Sequence, residues 1–255
     1  CARIVLVTDH IRPAVDPIVD QRLIPEFFCN PEFFRPGYAV KLSMFHRPYL
    51  PADMPCVFLD LDTLVVGDLG RIADLVRSEN DYFMLPPGNP IGFGGLRWLL
   101  WKLSGGEMFG TGNSSIVAFH SGANPNLAEQ FQALYAAGAR TPPKVMVVDD
   151  AFISWAAQGR LRKIPVSLGV MFRREFLSRS RLVLELKCRL PWAGRRRSGI
   201  VAITFNGVQY KPEAMLKFVE GQKISDSKGR FGYWSDDYLG GVKAKILSFC
   251  MQVRG

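Results

Sequence analysis

Paired cysteines, clustered histidines and long apolar runs are all missing from this 255-residue chain. The five cysteines (Cys1, Cys29, Cys56, Cys188 and Cys250) are odd in number and scattered, with no CxxC pair. This argues against a disulfide framework and against a structural zinc site, and a chain with reduced thiols is expected to be cytoplasmic. His10, His46 and His120 stand at no metal-ligand or triad spacing. The most apolar run, Leu96 to Leu103, is broken by Arg97 and Lys102, so no membrane-spanning helix is expected. Gly 24 and Pro 17 are too few for a low-complexity chain. The start carries no secretory signal pattern, and because it is Cys1 and not Met, a preceding segment is expected.

What is present is enough apolar material, 48% of residues, to bury a sizeable core, and one compact domain is the expectation. Charge is distributed unevenly. Of the net +9, the stretch 160–200 holds twelve basic residues against Glu175 and Glu185, so the rest of the chain is close to neutral. Such a block suits a polyanion, whether a phosphorylated substrate or an anionic lipid surface, while a solvated basic face is the plainer reading. It carries no nucleic-acid-binding motif, and no nucleic-acid partner is expected.

Arg3 to Asp9 and Cys56 to Asp60 read as apolar strands that end in carboxylates. The prolines between them leave room for one short helix, Tyr38 to His46. Then follow a helix over 69–77, a strand over 82–85, a Gly-rich insertion over 86–112 and a strand over 115–119. Helices are expected over 127–137 and 150–157, strands over 163–166 and 200–204, and a last helix over 242–251. Alternating strands and helices predict an α/β fold with a mixed central sheet flanked by helices.

Asp60 and Asp62 flank one residue where an apolar strand ends, the edge at which α/β sheets bind ligands. Two hard oxygen donors suit Mg²⁺ or Mn²⁺, and such a cation suits a diphosphate. A strand followed by a polar turn explains a bare DxD equally well. Haloacid-dehalogenase phosphatases place Thr or Val two residues after the second Asp, where this chain has Leu64, so a phosphatase is the runner-up.

The segment Leu59-Asp60-Leu61-Asp62-Thr63-Leu64-Val65-Val66-Gly67-Asp68 resembles the DxD segment of family 8 glycosyltransferases, the group of glycogenin and the lipopolysaccharide galactosyltransferases. Four further pieces follow that family's order: Tyr38-Ala39-Val40-Lys41-Leu42, Asn113-Ser114-Ser115-Ile116-Val117, Val148-Asp149-Asp150-Ala151-Phe152, and Asn206-Gly207-Val208-Gln209-Tyr210-Lys211-Pro212. The resemblance implies a single-domain A-type nucleotide-sugar fold, with residues 1–112 as the donor and metal half, 113–220 as the sugar and acceptor half, and 221–255 as an extension. It implies a retaining enzyme that moves a hexose from a UDP-sugar to a glycan or lipid-linked acceptor. Asp60, Asp62 and Asn206 would be the metal ligands for Mn²⁺ or Mg²⁺. Thr8, Asp9, Lys41, Gly207 and Lys211 would face the donor, and Asn113, Asp149 and Asp150 would be catalytic.

The chain departs from that pattern in places. Thr204 and Asn206 stand where the family's metal-binding His is found, Asp150 replaces Gln, and Lys211 falls one residue late. The proline-rich interval before Asp60 is too short for the family's base-binding strand and helix, so a missing first unit is expected. A catalytically silent binding protein therefore stays open beside the enzyme. Trp98 and Trp101 among Arg97 and Lys102, together with 160–200, suggest peripheral contact with an anionic membrane surface.

Overall fold

The computed structural model describes residues 3–34, 38–86, 99, 103–104, 111–138, 145–226 and 229–252. In chain order the strands are β1 (Ile4–Thr8), β2 (Val19–Leu23), β3 (Pro55–Leu59), β4 (Thr63–Val65), β5 (Tyr82–Leu85), β6 (Asn113–His120), β7 (Leu161–Lys163), β8 (Gly169–Met171), β9 (Ala202–Thr204), β10 (Lys223–Ser225) and β11 (Phe231–Tyr233). The longer helices are α1 (Leu127–Ala136), α2 (Asp149–Ala156), α3 (Arg181–Arg189), α4 (Pro191–Ser198) and α5 (Gly241–Gln252). The architecture is α/β with mixed sheets, as the alternation of elements predicts. The chain divides into two compact units, residues 1–58 with 72–164 and residues 59–71 with 165–255. Among the described residues no helix is long and apolar enough to cross a membrane.

In the first unit a four-stranded sheet has the order β3-β6-β5-β7. Tyr82-Phe83-Met84-Leu85 is apolar throughout and buried throughout, as expected of a strand covered on both faces. It runs antiparallel to β6, Tyr82 opposite Phe119, and parallel to β7, Tyr82 opposite Leu161. On α1, Leu127 and Phe131 face the core four residues apart, and the Asn126 side chain caps the helix by accepting from the Ala128 and Glu129 amides. Phe131 meets Phe33 and Phe152 edge-on at 5.3 and 5.0 Å between ring centroids.

In the second unit β9 is central, antiparallel to β4 and parallel to β8. Its core gathers Phe172, Phe176, Phe205, Trp234 and Tyr238. Gly232 sits where an added Cβ would lie 2.7 Å from the Leu177 Cβ, so β11 passes Leu177 only because this residue has no side chain.

Several elements differ from expectation. Tyr38 to His46 is a 3₁₀ helix over Ala39–Phe45, because Ala39, Leu42 and Phe45 repeat every third residue and all three are buried. The helix expected over 69–77 is one turn, Gly70–Ala73. Beyond Ala73 the ladder tightens, the Leu75 and Val76 amides bonding three residues back to Ile72 and Ala73, and Asp81 then accepts from the Arg77 and Ser78 amides. The strand expected over 163–166 lies at Leu161–Lys163, set by its register on β5 and closed by Pro165, which cannot donate to the ladder. The proline-rich interval holds a strand as well as helical turns. β2 reads Val-Asp-Gln-Arg-Leu, has no apolar alternation, and forms by parallel pairing with β1, while Arg3 and Arg22 hold Asp20. The basic stretch contains α3 and α4, in which Arg196 pairs with the buried Glu175 and Arg197 stacks 4.3 Å over Tyr238. Trp98 and Trp101 lie outside the described residues.

Phe131 to Ala should cost about 3–5 kcal/mol in guanidinium unfolding, whereas Leu61 to Ala, at a side chain 89% exposed, should change stability by less than about 0.5 kcal/mol. Equal costs at the two positions would contradict this placement of the core.

Candidate functional site

In the second unit a carboxylate centre forms around Asp62. The chain leaves β3, and a turn closed by the Thr63 amide on the Asp60 carbonyl (2.9 Å) leads into β4. Asp62 is pinned by its own carbonyl, which accepts from the Phe205 amide at 2.9 Å. One Asp62 carboxylate oxygen accepts from the Thr204 hydroxyl at 3.2 Å and the other from Lys211 Nζ at 2.7 Å. Thr204 also lies 3.3 Å from the Asn206 Oδ1. Gly207, at φ 104°, takes a left-handed turn that a side chain would strain. Lys211 is extended, as a residue before proline prefers, and its ammonium comes back onto Asp62. Asp62, Asn206 and Lys211, all anticipated, are thus brought together, with Thr204 as the hydroxyl that joins them.

Asp60, Asp62 and Asn206 offer only hard oxygen donors, a chemistry that fits Mg²⁺ or Mn²⁺. In this structure Asp62 is already neutralised by Lys211, so a cation would have to share that carboxylate or displace the ammonium. Among the described residues the cluster of three metal-ligating side chains is a different one, Asp53, Glu79 and His120, whose ligand atoms lie within 4.8 Å of one another.

In the first unit a second carboxylate centre forms at the start of α2. An isolated antiparallel bridge between Tyr38 and Val148 ties the 3₁₀ helix to this start. Lys41 Nζ thereby stands 3.7 Å from the buried Asp149 carboxylate. Ser114 on β6 serves both acids, its hydroxyl donating to Asp149 at 2.6 Å and its amide to Asp150 at 2.5 Å. Ser154 donates to the Asp150 carbonyl at 2.6 Å and accepts from the Gly112 amide at 2.8 Å. Burial pushes the Asp150 carboxyl up to about 6, with the Asp149 charge adding to it and Ser114 and Lys41 opposing. Asn113 opens β6 and accepts from the Ser115 amide at 3.3 Å. The sequence places Ser114 in a family-like segment, among the small residues expected to line a sugar pocket, but gives it no bond to the two acids, and it does not single out Ser154.

Thr8 and Asp9 stand at the end of β1. The Thr8 hydroxyl donates to the His10 carbonyl at 2.9 Å. Asp9 is exposed and accepts from Arg12 at 2.8 Å, and Arg12, with His10, holds its carboxyl well below the usual range.

No protein-family model matches the chain, and neither does any curated protein. Solved structures do resemble it. One is the galactosyltransferase LgtC with donor and acceptor sugar analogs, at 14% identity, with 76% of this chain and 68% of that chain covered and a TM-score of 0.44. Another is the bifunctional glycosyltransferase WbbM, at 16% identity and a TM-score of 0.48, covering 91% of this chain and 41% of that one. A third is mouse xyloside xylosyltransferase 1, at 12% identity and a TM-score of 0.39, with 74% of each chain covered. All three are named as glycosyltransferases.

Asp150 keeps its proton in the folded protein at pH values where the unfolded chain, with an ordinary carboxyl of 3.8, has released it. The stability this carboxyl contributes is therefore complete below about pH 4 and is lost as pH rises to about 6. Asp150 to Asn keeps an oxygen for the Ser114 amide and removes the charge. It should gain up to about 3 kcal/mol over the parent at pH 8 relative to the same comparison at pH 4, measured by guanidinium unfolding. An equal difference at the two pH values would refute the burial of this charge.

Proposed function

We propose that this chain is a metal-dependent, retaining glycosyltransferase that moves a hexose from a UDP-sugar to a glycan or lipid-linked acceptor. The observation that carries the reading is Asp62, set in the DxD turn after β3 and held between the Thr204 hydroxyl and the Lys211 ammonium. Carboxylates from the DxD turn, with an amide oxygen and an ammonium from the segment 206–211, are the groups that a diphosphate with its counter-ion needs.

Asp60, Asp62 and Asn206 would hold Mn²⁺ or Mg²⁺, which supplies positive charge to the diphosphate when bound. Lys211 would leave Asp62 for a phosphate oxygen. In the transfer the bond from the anomeric carbon to the diphosphate oxygen would break, one to the acceptor oxygen would form, and the acceptor's hydroxyl proton would pass to the departing diphosphate, so Lys211 would meet charge as it develops on the leaving group. Asp149 would accept hydrogen bonds from sugar hydroxyls, its orientation fixed by Ser114 and Lys41. Asp150, with its raised carboxyl, would sit at the reacting carbon as the resemblance assigns it. Thr8 and Asp9 would contact the nucleotide.

A second reading is a silent relative that binds nucleotide or glycan without transfer. It is favoured by Lys211 already neutralising Asp62 and by Thr204 and Asn206 in place of an imidazole.

Slow hydrolysis of UDP-hexoses in the presence of Mn²⁺, followed by proton NMR, tests transfer chemistry without knowledge of the acceptor. Hexose should appear first in the donor's anomeric form, and Lys211 to Ala and Asp149 to Asn should each slow release by at least about 100-fold. Rates unchanged in both variants would sink the assignment. Absence of hydrolysis with every donor would favour the silent reading.

A further inference from the structure

Outside both carboxylate centres, α3 and α4 carry a surface that the glycosyl-transfer reading does not use. Leu184 of α3 is buried at 3% exposure, and Cys188 packs partly against the same core, so this face anchors the helix. On the opposite face Leu182 is 75%, Leu186 58% and Val183 42% exposed, and Trp192, at the start of α4, is 51% exposed. Leu182 and Leu186 lie four residues apart, on one stripe of the helix. A folded chain gains nothing in water from leaving large apolar groups of neighbouring helical segments exposed.

The rim decides what could cover them. Across 181–198 there are six basic residues and one acid, Glu185. Arg196 and Arg197 are partly engaged within the fold by Glu175 and Tyr238, and Arg196 also stands 5.7 Å over the Trp192 ring. Arg189 and Arg195 are exposed. An exposed aliphatic stripe on α3 and an exposed indole on α4, in a segment that also exposes Arg189 and Arg195, complement an anionic bilayer. Leucines enter the boundary between headgroups and acyl chains, Trp sits at headgroup level, and arginines meet lipid phosphates. Nucleic acid would place phosphates against the leucines, which offer it neither charge nor stacking.

We propose that α3 and α4 form a peripheral docking surface for anionic lipid, seated through Leu182, Val183, Leu186 and Trp192 and held by Arg189 and Arg195. This inference does not depend on the chemistry of the carboxylate centres, and its test is independent of turnover.

The test is flotation of the whole chain with vesicles of mixed phosphatidylcholine and phosphatidylglycerol, against phosphatidylcholine alone, over a salt series. The protein should float with the anionic vesicles and be released as salt rises. Arg189 to Ala with Arg195 to Ala should lower partitioning roughly thirtyfold. Leu182 to Ser with Leu186 to Ser should lower it at least about tenfold. Because these four side chains are exposed, circular dichroism should show all variants folded. Failure of the parent chain to bind, or unchanged binding by both double variants, would overturn the proposal. So would self-association abolished by the leucine changes without vesicle binding, which would assign the face to a second copy of the chain.

Discussion

A carboxylate withdrawn from water needs donors around it, and an unpaired one is costly. In each of the two units that requirement is met in the same way, with one hydroxyl and one lysine. Asp62 has Thr204 and Lys211; Asp149 has Ser114 and Lys41. Much of the local architecture follows from meeting it. The left-handed Gly207 lets the chain turn toward Lys211, and Pro212 holds that lysine extended. The bridge from Tyr38 to Val148 places Lys41, and the first residues of β6 supply Ser114.

In the proposed reaction these pairings would also prepare the centres for charge brought in from outside. Lysine is a compact, mobile cation and can exchange a carboxylate for a phosphate without refolding of its surroundings. Asp150 is the exception, since burial drives its carboxyl toward the protonated form against the opposing pull of Ser114 and Lys41. A position of this kind costs stability and is understandable where the group has chemical work to do.

What the sequence made legible was whatever carries strong local periodicity or chemistry. β1, β3, β5 and β6 are dense apolar runs, and DxD and a distant Lys-Pro are the sequence marks of two residues that meet in the fold, Asp62 and Lys211. What it concealed depends on partners distant in sequence. β2 is polar and exists only by pairing with β1. The segment from Ala39 to Phe45 has a three-residue repeat too short to distinguish from an α-helix until its burial is seen. Ser114 gives no local sign that it serves two acids some 35 residues away. The basic block looked uniform, whereas the fold divides it into arginines engaged with Glu175 and Tyr238 and others left at the surface.

The central claim is that Asp62 organises a metal-dependent nucleoside diphosphate site. Calorimetric titration of UDP with and without Mn²⁺, on the parent chain and on Asp62 to Ala, tests it most directly. Binding is expected only when both the metal and Asp62 are present. Binding of equal strength without Mn²⁺ or in the variant, or none at all by the folded parent chain, would contradict it.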